Sequence, residues 1–206
     1  MSFPDLLQQD AARVQARLQA ALTAQEDVPV VQAMRYALQG GKRLRAFLVL
    51  ESARLHGIAP EAAVSAAAAV EALHAYSLVH DDLPCFDDAD MRRGKPSVHR
   101  AYGEPLAVLA GDSLIVLAFE VLAKAGQLAP LRALTLTGAL ARHTGAPFGI
   151  CAGQAWESEP EINIAAYHRA KTASLFSGAV STGAIASGGN PLDWLGLADS
   201  LGAAYQ

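Results

Sequence analysis

Leu6, Ala12, Val14, Leu18 and Leu22 recur at helical spacing among polar neighbours, which predicts an amphipathic first helix over residues 5–25. Pro29 opens a second helix that runs to Leu38, and Gly40-Gly41 closes it as a C-cap does. A third runs from about Arg43 to His56 and stops at Gly57. Pro60 then precedes the longest apolar stretch, 61–83, whose middle is almost all alanine and valine. A helix that is apolar on every side belongs at the centre of its fold. Pro84 ends it, since the residue before a proline is pushed out of the α region, and 84–103 read as a polar loop. Further helices fit 105–125, 131–143, 163–176, 177–187 and 194–206, with breaks at Gly126, Gly145-Ala146-Pro147, Pro160, Gly188-Gly189 and Pro191. With no short-period repeat, low-complexity tract or linker, the pattern predicts one domain over 1–206.

Composition agrees. Alanine is abundant while β-branched and aromatic residues are sparse, which favours an all-α class over strands. The 206 residues are 52% hydrophobic, enough for a sizeable core. A net charge of −4 offers no global attraction to nucleic acid or to an anionic membrane, so any anion site has to be a local basic cluster. The first 25 residues carry Asp5, Asp10, Arg13 and Arg17 and do not form a secretory signal. No window reaches the ~18 apolar residues of a spanning helix without Gly, Pro or charge, so no membrane insertion is expected. Cys85 and Cys151 are too few and too far apart for a disulfide framework; they read as partly buried small hydrophobes in a reducing cytoplasm.

Two clusters carry candidate chemistry. Between His80 and Asp90 stand Asp81, Asp82, Asp87, Asp88 and Asp90, just where the central apolar helix ends. Aspartates at a helix C-terminus face its negative end and repel one another, so a cation is expected among them. Magnesium meets that need with one or two carboxylates plus phosphate oxygens. A solvated acidic turn is the plain alternative, but Arg92, Arg93 and Lys95 follow at once, and acid followed by base suits a metal with a phosphate. The second cluster is Gly40-Gly41-Lys42-Arg43-Leu44-Arg45, three cations at a helix start, where a phosphate fits. It is not a P-loop, which needs glycine where Tyr36 stands and serine or threonine where Arg43 stands. His74 lies two helical turns before Asp81 on the same face, within reach of what the aspartates hold, or else satisfied in the core.

Together these segments resemble the short-chain trans-prenyl diphosphate synthases, most of all the bacterial farnesyl diphosphate synthase type. The likeness continues through Gly111-Asp112, Gly153-Gln154-Ala155, Lys171-Thr172 and the run Leu201 to Gln206, and covers the chain from about residue 30. It implies an isoprenoid synthase helical bundle with a central pocket, homodimeric, condensing isopentenyl diphosphate with an allylic diphosphate. It implies magnesium on Asp81, Asp82 and Asp87; Arg92, Lys171, Thr172 and Gln206 against the allylic substrate; and Lys42, Arg45, His74 and Arg93 on isopentenyl diphosphate. Asp81, Asp87, Lys171 and Thr172 then act in catalysis, and Tyr76 with Ser77 sets chain length, for which a fifteen-carbon product is the expectation. A geranylgeranyl diphosphate synthase, or a non-catalytic subunit of a prenyl synthase, is the alternative. Family members continue past a glutamine like Gln206 into a second aspartate-rich motif, so the resemblance also implies that the chain carries the first part of such a domain. Glu157 stands where the family usually has aspartate.

Overall fold

A computed structural model describes residues 2–125 and 129–204. Helices dominate: α1 (Phe3–Thr23), α2 (Pro29–Ala37), α3 (Leu44–Leu55), α4 (Pro60–Asp81), α5 (Val98–Tyr102), α6 (Glu104–Ala123), α7 (Pro130–Thr144), α8 (Ile150–Trp156), α9 (Ile164–His168), α10 (Ser174–Ser187) and α11 (Leu195–Ala204). A two-residue antiparallel ribbon, β1 (Met91–Arg92) with β2 (Lys95–Pro96), lies in the connection after α4.

The starts follow from sequence. Proline occupies the first turn of α2, α4, α6 and α7, where its missing N–H costs nothing. Ser2 and Asp5 form a reciprocal capping box on α1. As expected, α4 lies at the centre, packed against α1, α3, α6 and α10. Its small side chains, among them Ala63, Ala66, Ala67, Ala68 and Ala69, are fully buried and let the surrounding helices approach closely. By length and composition α4 and α6 are both apolar enough to cross a membrane; in the fold, 67% and 44% of their apolar windows are buried.

Three segments differ from expectation. Residues 84–103 are not simply a loop, because they hold the ribbon and α5. The expected break between 176 and 177 does not exist: α9 continues through a π-helical stretch, Arg169–Ala173, directly into α10, as nothing there breaks a helix. Finally α8 was not anticipated. Cys85 and Cys151 are both exposed rather than partly buried, Cys85 on the turn beyond Pro84 and Cys151 at a cavity wall.

Candidate active site

The C-terminus of α4 is where the acids meet. Pro84 stops the helix, the chain doubles back, and the Asp87 amide donates to the Asp81 carbonyl at 2.9 Å. That turn brings the two carboxylates together, and Glu157, the residue after α8, joins them: one oxygen from each lies within 4.8 Å of the others. Lys171, in the π-helical stretch, reaches Asp81 at 3.2 Å and also donates to Glu157. Glu157 further accepts from Tyr167 and, at 2.6 Å, from Gln154. Desolvation pushes the Asp81 carboxyl above its ordinary pKa; Lys171 opposes this, while Asp87 and Glu157 add to it. Desolvation also works against the Lys171 charge, but Glu157 and Asp81 outweigh it and push the ammonium's pKa up. Three carboxylates against one ammonium leave the mouth net negative, and an all-oxygen donor set fits a hard divalent cation. Thr172 follows Lys171 in the same stretch, and Gln206 lies outside the described residues.

Asp82, expected beside Asp81 and Asp87 as a metal ligand, is turned away from them. Its buried carboxylate accepts from Arg92 Nε at 2.9 and 3.1 Å. Successive helical residues diverge by roughly 100°, so Asp81 and Asp82 do not share one face. Arg92, expected at the allylic substrate, is held by that pair and lines the basic cavity described next.

That cavity, of about 410 Å³, is lined by Lys42, Arg45, His74, Arg92 and Arg93, with the paired Arg43 and Glu71 also in its wall. Gly41 has φ +86°, and a Cβ there would lie 2.7 Å from the Arg93 guanidinium carbon, so the glycine turn is what lets Arg93 in. Arg93 donates to the carbonyls of Gln39 and Gly40 at 3.4 and 3.2 Å. Arg43 is the exception among the three cations read together. It adopts a left-handed conformation (φ 53°), turns inward, and is buried against Glu71 at 3.2 Å and the Leu38 carbonyl. His74 faces this cavity rather than the acidic mouth, with Nε2 3.2 Å from Arg45 Nη1. Burial first, and then Arg45 and Arg93, hold its pKa well below the ordinary value. Because arginine only donates, Nε2 of the neutral ring accepts.

A third cavity, of about 360 Å³, runs along α4 below the mouth between Tyr76, Ser77, His80, Asp81, Ile150 and Cys151. Tyr76 is buried, with its hydroxyl 3.4 Å from Cys151 Sγ, and burial pushes its pKa up. Two participants were missed by sequence reasoning. Glu157 attracted notice only as a departure from aspartate, and α8, which supplies Ile150 and Cys151, is a seven-residue helix behind several breakers.

A helical bundle with a carboxylate mouth, a separate basic cavity and an apolar pocket beside the mouth defines the isoprenoid synthase class. The sequence profile described as polyprenyl synthetase matches residues 28–206. A geranylgeranyl diphosphate synthase of Cereibacter sphaeroides is 52% identical over 200 residues, 94% of this chain and 69% of the relative. The farnesyl diphosphate synthase of Escherichia coli is 39% identical, covering 100% of this chain and 74% of that protein. The crystal structure of an FPP/GFPP synthase from Zymomonas mobilis superposes with a TM-score of 0.91 at 38% identity, over 98% of this chain and 78% of that one. The chain belongs to the polyprenyl synthetase family and is a prenyltransferase.

Proposed function

We propose that the protein joins isopentenyl diphosphate to an allylic diphosphate, with Asp81, Asp87 and Glu157 holding magnesium at the allylic site. The observation that carries this reading is the pair of oppositely built anion sites at the end of one helix, one acidic and in need of a cation, the other basic. Magnesium, when bound there, neutralises the diphosphate as it departs. Lys171 stands over the same acids and adds a fixed positive charge on that leaving group. Lys42, Arg45 and Arg93 anchor the second diphosphate, and neutral His74 orients Arg45 by accepting from it. The allylic tail enters the apolar pocket, whose wall among the described residues carries no carboxylate besides Asp81 at its mouth. The proton lost after the new carbon–carbon bond forms passes to the released pyrophosphate.

Tyr76 closes the pocket one to two helical turns beneath Asp81, which supports a fifteen-carbon product. A twenty-carbon product is the second reading, favoured by the 52% and 48% identity to geranylgeranyl diphosphate synthases. The exposed Val108, Leu109 and Val116 of α6 support pairing with a second copy, and the two free thiols suit the cytoplasm.

Incubation with isopentenyl and geranyl diphosphates and magnesium, followed by chromatography, tests the reading. Farnesyl product from the wild type, with longer products from Tyr76→Ala, is the expected result. Failure to consume either substrate and to bind an unreactive allylic analogue overturns it.

A further inference from the structure

Gly111 sits on α6 against the last turn of α4. A Cβ placed there would lie 2.0 Å from Nε2 of His80, 2.4 Å from its Cδ2 and 2.9 Å from its Cε1, so the imidazole occupies the space that any side chain at this position would claim. The ring is seated in that notch by its surroundings. Its Nε2 lies 3.1 Å from the Val108 carbonyl, to which it donates, and 3.7 Å from Asp112 Oδ1. Its other side meets Tyr76 edge-on, with centroids 5.8 Å apart and planes at 77°. The same ring forms part of the wall of the apolar pocket.

We infer that Gly111 is a specificity-determining residue: the notch it leaves in α6 draws the His80 ring aside and sets how much hydrocarbon the pocket accepts. The inference rests on the proposed placing of the allylic tail. A methyl group at 111 evicts the ring from its notch. The backbone of α4 is clamped by four helices, so the side chain gives way, and its free direction is the cavity it already lines. Each methylene shut out of an apolar site weakens binding by about fourfold, so exclusion of two of them costs roughly a factor of ten or more. The effect is confined to tails long enough to reach the displaced ring.

The test is calorimetry in magnesium with allylic diphosphate analogues of ten and fifteen carbons whose bridging oxygen is sulfur, on the wild type, Gly111→Ala, His80→Ala and the double variant. Gly111→Ala is expected to bind the ten-carbon analogue like the wild type and the fifteen-carbon analogue about tenfold more weakly. His80→Ala shifts the preference toward the longer tail, and the double variant follows His80→Ala because no ring remains to be displaced. If Gly111→Ala does not fold, His80→Ala and the double variant, which is free of the clash, decide the matter. An unchanged ratio of the two affinities across the folded variants overturns the role of Gly111 while leaving the proposed reaction standing. A wild type that binds neither analogue overturns both.

Discussion

Replacing Arg43 by methionine probes what shapes the basic cavity. Arg43 is 5% exposed and Glu71 2%, and their 3.2 Å ion pair is reinforced by bonds from Arg43 to the Leu38 carbonyl and to Gln15, and from the Ala46 amide to Glu71 at 3.1 Å. Methionine keeps most of the volume but strands a buried carboxylate and leaves the Leu38 carbonyl without its guanidinium donor. Breaking a buried pair from one side costs about 3–5 kcal/mol, against a total stability of roughly 5–15 kcal/mol. For a chain of this size that corresponds to a drop of roughly 6–20 °C in melting temperature. The double variant Arg43→Met/Glu71→Leu still leaves the Ala46 amide and the Leu38 carbonyl without their side-chain partners, at about 1–3 kcal/mol each, but no buried charge remains stranded, so it should recover part of the deficit. Guanidinium unfolding followed by circular dichroism measures all three proteins. A loss below about 1 kcal/mol for the single variant, or a double variant no better than it, refutes the view that this pair braces the turn presenting Lys42 and Arg45.

Asp81→Asn should raise the melting temperature of the metal-free protein at neutral pH and abolish its stabilisation by magnesium with an allylic diphosphate. Burial lifts the Asp81 pKa above 3.8, so the folded state prefers its neutral form and loses stability as pH rises through that raised value. A lower melting temperature, or retained magnesium response, contradicts this. Asp82→Asn should do the reverse, weakening the fold by breaking the Arg92 pair while magnesium affinity, read by calorimetry, stays within about threefold. His74 is held neutral in the fold, so the unfolded chain takes up the proton first and stability falls as pH drops below the ordinary imidazole value of 6.5. Melting curves from about pH 7.5 to about pH 5.5 should show a decline that His74→Phe flattens, and parallel curves would count against it.

The helical core was largely legible because punctuation and periodicity agreed. Pro29 and Pro60 marked real starts, Pro84 lies just beyond the real end of the longest helix, and the alanine-rich run took the central place its all-round apolar character demands. The π-helical stretch left no trace, since Arg169 to Ala173 has the composition of an ordinary helix; it packs against α8 and α11, contacts that local sequence does not report. In the site, local sequence found the acids and bases but not their partners. Adjacent aspartates on one helix necessarily point apart, which geometry alone foretells for Asp81 and Asp82. That Asp82 meets Arg92, and that Glu157 crosses to Asp81, are tertiary facts with no local signature.

Asp81 and Tyr76 ride on the same rigid helix, five residues apart. On the proposed reading, in which Asp81 anchors the metal-held diphosphate and Tyr76 floors the pocket, the two would form a ruler whose graduation is the helical rise of about 1.5 Å per residue, with no loop or hinge between them. Under that reading, moving the bulky side chain along α4 by one turn would shift the stop by about 5.4 Å, so exchange of single residues would reset product size in discrete increments without rebuilding the bundle.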